Sequence, residues 1–282
     1  MGEGALVLVA TPIGNLGDLS PRAVEVLRTA DVIAAEDTRR TRTLLTHAEI
    51  PAGRRLRAVH EHNERASATK IVEEVRAGAL VAYVSDAGMP GVSDPGERLV
   101  RACAEAGLVV EVIPGPSAAL TALVLSGLPT ARFVFEGFLP VKGRDRDERI
   151  SVVEREERTI VLFEVPHRLL RTLTDLAEVC GGDRRVAVAR ELTKLHEEVW
   201  RGTLHESVLH FEQTAPRGEI VVVVEPNQHD VAEPTDEELA GEALALVSTG
   251  MPTREAADRL ASRFRVSRRR AYDAVIAQRS AR

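Results

Sequence analysis

The chain has 282 residues, 44% hydrophobic and 28% charged, which is apolar material enough for about two domains with ordinary cores. Its net charge of −6 excludes a protein that coats nucleic acid by bulk charge, and no apolar run approaches the length of a membrane span. Cys103 and Cys180, the two cysteines, both sit in apolar helical patterns, which excludes a disulfide framework, and aromatics are only 3%, so the cores must rest on Val, Leu, Ile and Ala.

The start, Met1-Gly2-Glu3-Gly4, has no basic n-region and runs straight into a strand, so the cytoplasm is the expected compartment. Residues 5–10 predict that first strand, and the loop 11–18 follows it. Ser20 then caps a helix that has Pro21 at its first position. A second strand, 31–35, ends in Glu36-Asp37-Thr38-Arg39-Arg40. A third, 56–59, ends in His60-Glu61-His62-Asn63, with Asn63 placed to cap a helix that stops at Gly78. The strand 79–84 leads into a loop in which Gly88, Gly91 and Gly96 alternate with Pro90 and Pro95. Such a loop, at the end of a buried strand, reads either as the place where open α/β sheets hold ligands or as an ordinary strand-to-helix turn. Asp94-Pro95 is expected to start the next helix, closed by Gly107. The strand 109–113 ends in Pro114-Gly115-Pro116-Ser117, and Ser117 caps a helix to about residue 126.

Strands alternate with helices throughout, and the strands are continuous apolar runs. That is the pattern of a parallel sheet covered on both faces, with the strand-to-helix loops gathered along one edge. Leu128-Pro129-Thr130 breaks the pattern and marks the end of a first α/β domain, residues 1–128. A second α/β set, 129–225, has strands near 132–138, 159–164, 185–189, 198–201 and 219–224, and helices near 144–155 and 168–180. A polar linker spans 226–234. The tail, 235–282, reads as a helix-turn-helix-like arrangement: Thr235 and Glu238 have capping-box spacing, Thr253 and Ser267 cap two further helices, and Ala256, Ala257, Leu260, Ala271 and Val275 form the apolar seam. Residues 226–250 hold six acidic and no basic side chains, whereas 251–282 hold nine arginines against three acids. That asymmetry suggests an anionic partner for Arg268, Arg269 and Arg270, or else a helical hairpin with a solvated charged face.

No segment carries the G-x-G-x-x-G fingerprint, a P-loop, a G-x-S-x-G elbow or zinc-ligand spacing. What remains is carboxylates at strand ends: Glu36, Asp37, Asp86, Asp94 and Glu164, of which Asp94 before Pro95 reads as a helix cap. Glu36 and Asp37, followed by Arg39 and Arg40, read either as an acidic pair facing a hydroxyl-bearing or cationic ligand, with arginines ready for phosphate, or as a salt-bridged helix start. Asp86 is the third candidate.

Four stretches occur together in an order that resembles one family: Val9-Ala10-Thr11-Pro12-Ile13-Gly14-Asn15-Leu16-Gly17-Asp18, Ala34-Ala35-Glu36-Asp37-Thr38-Arg39, Val84-Ser85-Asp86-Ala87-Gly88-Met89-Pro90 and Pro114-Gly115-Pro116-Ser117-Ala118. That family is the ribosomal small-subunit RNA (cytidine-2′-O)-methyltransferases, which share the tetrapyrrole-methylase fold. Glu136-Gly137-Phe138-Leu139-Pro140, His167-Arg168-Leu169-Leu170 and Ala189-Arg190-Glu191-Leu192-Thr193-Lys194 are similar too, so the resemblance runs nearly the full length.

The resemblance implies two α/β domains with S-adenosylmethionine in the cleft between them, no metal, a homodimer, and methyl transfer to a cytidine ribose in the decoding region of 16S rRNA in the small ribosomal subunit. It places the cofactor against Pro12, Ile13 and Gly14, against Ala87, Gly88 and Met89, against Ser117 and Ala118, and against Glu164 and Gly202. A ribose hydroxyl is a poor nucleophile, so Glu36, Asp37 and then Asp86 are the expected general-base candidates. His60 and Asn63 are expected to position the nucleotide, with Arg39, Arg40 and the tail arginines on phosphates. A tetrapyrrole methylase of the same fold and a non-catalytic ribosome-assembly factor are the alternatives; the basic tail argues against the first.

Overall fold

A computed structural model describes residues 4–60, 62–227, 234–264 and 266–280. Glu61, most of the expected linker and two of the tail arginines, Arg265 and Arg282, lie outside the described residues. The chain divides into two compact units, 1–227 and 228–282.

In the first unit, β1 (Ala5–Val9), β2 (Val32–Ala35), β3 (Leu56–Ala58), β4 (Leu80–Val84) and β5 (Val109–Ile113) form a parallel sheet in the order β3-β2-β4-β1-β5. β1 and β2 are buried at every position because helices cover both faces. On one face α1 (Pro21–Thr29) and α2 (Thr38–His47) pack Ala23, Leu27 and Leu45 against Val7, Val9 and Ile33. On the other, α3 (Glu64–Arg76) and α4 (Glu97–Glu105) pack Ile71, Val75 and Leu99 against Leu6, Val81 and Tyr83. The chain thus moves outward from β1 to β3 over one face and returns to β5 over the other. Its direction reverses about β1 and β4, the place where such sheets open a crevice at the strand ends.

Ser20 accepts from Ala23 N at the start of α1, as the sequence predicts. Two other caps differ from expectation. Asn63 precedes α3 but does not cap it; its Oδ1 accepts from His60 N at 2.9 Å and its Nδ2 donates to Ala58 O. Asp94 does not start α4 either. The helix begins after Gly96, at φ 133°, and Glu64 of α3 accepts from Gly96 N at 2.9 Å and from Arg98 N at 3.1 Å. A buried carboxylate from a neighbouring helix thus satisfies the orphan donors that a local cap would otherwise take. Asp94 is released for another role.

The second sheet contains β6 (Phe133–Phe138), β7 (Thr159–Glu164), β8 (Arg185–Arg190), β9 (Glu198–Thr203) and β10 (Ile220–Val224) in the order β6-β7-β10-β8-β9. It is not a parallel sheet: β6 and β7 are parallel, and every other pair is antiparallel. The short connection from β8 to β9 has no room for a crossover helix, which forces the antiparallel pairing. One face carries α6 (Arg144–Arg155), α7 (Pro166–Cys180) and α8 (Leu204–Gln213), the last held by a Thr203–Glu206 capping box. The other face is covered by α5 (Ala118–Ser126), which follows β5 in sequence yet packs Ala119, Ala122 and Leu123 on Val161, Ala187 and Val221 of the second sheet. Ile13, from the loop after β1, joins the same cluster. The two sheets therefore share a core at the level of these loops.

The second unit holds α9 (Asp236–Ser248), α10 (Thr253–Phe264) and α11 (Arg268–Ser280). Ala256, Ala257, Leu260, Ala271 and Val275 of the expected seam are all buried there, together with Leu239, Ala243 and Val247 of α9. Among the described residues no helix is long and apolar enough to cross a membrane.

Candidate functional site

The loops after β1, β4 and β5 meet the ends of β6, β7 and β10 around a cavity of about 250 Å³. Thr11 and Gly88 tie two of these loops together: Thr11 N donates to Gly88 O at 2.9 Å, and Gly88 N donates to Thr11 O at 3.0 Å. Gly88 has φ 76°, and a Cβ there would lie 3.3 Å from Ile13 Cγ2. Glycine is required for both reasons, and the bare backbone faces the cavity.

Of the residues expected on a cofactor, Ile13, Ala87, Gly88, Met89, Ser117, Ala118 and Glu164 line this cavity. Pro12 instead faces a smaller cavity of about 90 Å³ on the other side of the Thr11–Gly88 bridge, with Arg40, Thr41, Ser85 and Asp86. Gly14 lines neither; it is pressed against Thr193 and Lys194, where a Cβ would clash with the lysine side chain. The placement of Gly202 in the cleft is corrected. Gly202 pairs with Val186, which pairs with Val224, whereas Glu164 pairs with Ile220 at the cavity end. Four register positions separate the two ends, roughly 13 Å along the strands.

The walls add Val92, Phe138, Phe163 and Glu219, which sequence reasoning missed, and Asp94, which it read as a helix cap. Asp94, Glu164 and Glu219 put three carboxylates on the lining, which has no Lys, Arg or His among the described residues. Glu164 is buried and fully engaged: Val165 N donates to its Oε1 at 2.9 Å, Thr172 Oγ1 donates to its Oε2 at 2.5 Å, and Arg168 Nε lies 3.4 Å from Oε1. Glu219 is bridged by Lys194 Nζ at 3.0 Å, which also donates to Glu191 Oε1 at 2.8 Å. Glu191 and Thr193 hold this turn in the left-handed region, at φ 51° and 65°, and Thr193 Oγ1 accepts from Asn15 N at 3.1 Å. A strained turn of the second sheet is thereby clipped to the first loop of the first.

Burial, reinforced by the negative charge of Glu36, pushes the Asp94 carboxyl up to about 6; the Ser85 hydroxyl pulls the other way, and Asp86 and Glu219 raise it further. The signal in the sequence was Gly96. A glycine between Asp94 and the first helical residue leaves that carboxylate too far back to cap.

Glu36, Asp37 and Asp86 come together at the ends of β2 and β4. Asp86 N donates to Glu36 Oε2 at 3.2 Å, and Asp37 N donates to Asp86 Oδ1 at 3.0 Å, so the two strand ends are reciprocally latched. Burial raises the Glu36 carboxyl above its usual range, partly offset by the Asp86 N–H. Asp37 caps α2 by accepting from Arg39 N at 2.8 Å, and the hydrogen-bonded Arg39 guanidinium holds its carboxyl down to about 2. That is the salt-bridged helix start weighed from the sequence. None of the three lines the larger cavity.

Arg39 and Arg40 are exposed, the first on Asp37 and the second 3.5 Å from Asp86. His60 and Asn63 lie beyond β3 at the sheet's edge and line neither cavity; His60 Nδ1 is buried without a hydrogen-bond partner among the described residues. In the second unit Arg268 is bidentate on Asp258 and Arg270 reaches Asp236 at 2.9 Å. Arg269 stays exposed, and with Arg254 and Tyr272 it borders a shallow groove between α10 and α11.

Residues 5–208 match the family model for Tetrapyrrole (Corrin/Porphyrin) Methylases. The chain is 47% identical over 270 residues to the Ribosomal RNA small subunit methyltransferase I of Synechocystis sp., covering 95% of this chain and 96% of that one. It is 44% identical over 260 residues to the protein of that name from Escherichia coli O157:H7, covering 90% and 88%. Among solved structures, the uroporphyrin-III-C-methyltransferase of Thermus thermophilus superposes with a TM-score of 0.54 at 24% identity, covering 78% of this chain and 94% of that one, a likeness of fold.

Proposed function

The chain belongs to the tetrapyrrole methylase family, among its ribosomal RNA small subunit methyltransferase I members, and on that premise we propose that it methylates the ribose 2′-hydroxyl of a cytidine in the decoding region of 16S rRNA, using S-adenosylmethionine. The observation that carries the cofactor is the lining of the larger cavity: apolar walls, a bare glycine backbone, and three carboxylates, of which Asp94 has no cationic partner among the described residues. Such a lining suits a ligand that is largely apolar and carries positive charge. When bound, S-adenosylmethionine supplies a methyl group on a positively charged sulfur.

The chain's own residues orient and select. Ile13, Ala118 and Val221 give an apolar surface for a base, and Phe138 and Phe163 close one wall. Gly88 lets backbone come close, and Glu164, immobilised by Val165 N, Thr172 and Arg168, offers a fixed acceptor. In-line displacement depends on alignment, so a rigid acceptor matters more than a strong one. The Glu36–Asp86 latch holds the two strand ends in register beside the cavity. Arg40 sits next to it for a phosphate.

The test is mass-spectrometric mapping of ribose methylation after small subunits lacking the modification are incubated with the protein and labelled cofactor. One new 2′-O-methylcytidine in 16S rRNA is expected. Cofactor binding without transfer, or transfer to a tetrapyrrole instead, would overturn the reading.

The same reading gives the second unit an RNA-contacting role, carried by Arg269 and Arg254 more than by the ion-paired Arg268 and Arg270. Replacing Arg254 and Arg269 together with Ala is expected to weaken small-subunit binding and to flatten the log–log salt dependence of the affinity by roughly one to two. An unchanged slope removes the tail from the interface.

A further inference from the structure

Asp94 is the cavity carboxylate that no cation neutralises among the described residues. Glu164 is engaged by a backbone N–H, a hydroxyl and Arg168, and Glu219 by Lys194. Outside the cavity, Glu36 accepts from Asp86 N, Asp86 accepts from Asp37 N, and Asp37 is paired with Arg39. Asp94 is half-buried on the cavity wall, and α4 takes its cap from Glu64 instead. The Ser85 hydroxyl at the end of β4 favours its ionised form. Among the described residues, the charged groups that act on it most are Glu36 from the end of β2, Asp86 from the end of β4 and Glu219 beside β10, all acidic, and Tyr83 of β4 is the neutral titratable neighbour.

We propose that Asp94 is the general base of the methyl transfer, the group that takes the proton from the 2′-hydroxyl of the target ribose. The proposal rests on the function assigned above. The 2′-oxygen forms its bond to the methyl carbon as the carbon–sulfur bond breaks. The electron pair of that bond stays on sulfur, which leaves as a neutral thioether. The hydroxyl proton passes to an Asp94 carboxylate oxygen and from there to solvent. A carboxylate surrounded by acids and free of cations is ionised at neutral pH yet keeps a strong affinity for a proton, which is what the step requires.

The test uses the full-length protein with small subunits and Asp94→Asn, which conserves size. The expected result is a fall in kcat of roughly 10²- to 10⁴-fold. Calorimetric affinity for S-adenosylmethionine should stay within about threefold, and the acid limb of the kcat–pH profile, present in the parent protein at or below about 6, should disappear. Turnover within threefold of the parent overturns the proposal. So does a loss that is recovered at saturating cofactor, which would make Asp94 a cofactor ligand. Failure of the parent protein itself to methylate small subunits, with cofactor bound, would instead bring down the functional assignment and the proposal with it. A melting curve of the variant separates a chemical defect from a folding one.

Discussion

Replacing Arg146 with Met is expected to lower the stability of the first unit by about 3 kcal/mol, the low end of what breaking a buried ion pair costs. Arg146 is 2% exposed, the largest of the fully buried side chains. Its Nε and Nη2 donate to Asp175 Oδ2 at 2.9 and 2.6 Å, Nη1 donates to Pro140 O at 3.0 Å, and Nη2 donates to Thr172 Oγ1 at 3.1 Å. Met fills the space of the stem but leaves a carboxylate, a carbonyl and a hydroxyl without their donor. Asp175 is 28% exposed and has Arg171 at 3.8 Å, so water and a second cation soften its loss. That is why the low end applies. Urea denaturation should show the midpoint falling with its slope unchanged.

The effect should also reach the cavity. Thr172 Oγ1 accepts from Arg146 while donating to Glu164 Oε2, so the guanidinium fixes the direction of that hydroxyl. Without it the Glu164 carboxylate loses part of its support. A double-mutant cycle with Thr172→Val should give a coupling of about 1 kcal/mol or more in stability. Simple additivity would show that Arg146 braces α6 against α7 and does nothing for Glu164.

Arg146 also marks where reading the sequence stops. In Arg144-Asp145-Arg146-Asp147-Glu148-Arg149 every residue is charged, and period alone cannot tell which arginine turns inward. Its acceptors, Asp175 and Thr172, come from a different helix some thirty positions on. The same limit explains the other departures. The parallel sheet, its strand bounds and the caps at Ser20, Ser117 and Thr235 are local in origin, and they were legible. The cap of α4 belongs to Glu64, thirty-two residues away from Gly96, and could not be read from neighbours. α5 looks like the last helix of the first sheet because it follows β5, yet it is apolar all round and is drawn onto the second sheet. Gly202 was placed by resemblance, and strand register, which sequence does not specify, moves it to the far end. For the site, the small residues Ala87, Gly88, Ser117 and Ala118 that line the cavity were legible as a glycine- and proline-rich pair of loops at strand ends. Of the acidic lining, Glu164 was expected, Asp94 read as a helix start, and Glu219 was not singled out, because three carboxylates from separate segments converge only in the fold.

Asp94→Asn is expected to stabilise the folded protein at pH 7.5, by about 1–3 kcal/mol, while it disables turnover. An ordinary aspartate titrates near ~4, and burial together with Glu36 raises Asp94 to about 6. Between those values the folded chain holds a proton that the unfolded chain has released. The stability contributed by this group is therefore highest below about 4 and is lost as pH rises through about 6; above that, the folded state carries an uncompensated half-buried charge. Asparagine removes the charge. Its gain should be absent near pH 4, grow across the window and level off above about 6. Partial exposure and the Ser85 hydroxyl argue for the middle of the range. Paired urea titrations of parent and variant at pH 4, 5, 6 and 7.5 read the difference directly. A gain of equal size at every pH would mean that Asn simply packs better, and a loss at pH 7.5 would mean that the ionised carboxylate has a cationic partner after all. A carboxylate that weakens the fold while ionised, at the wall of a cavity, is the expected mark of a group kept for its chemistry.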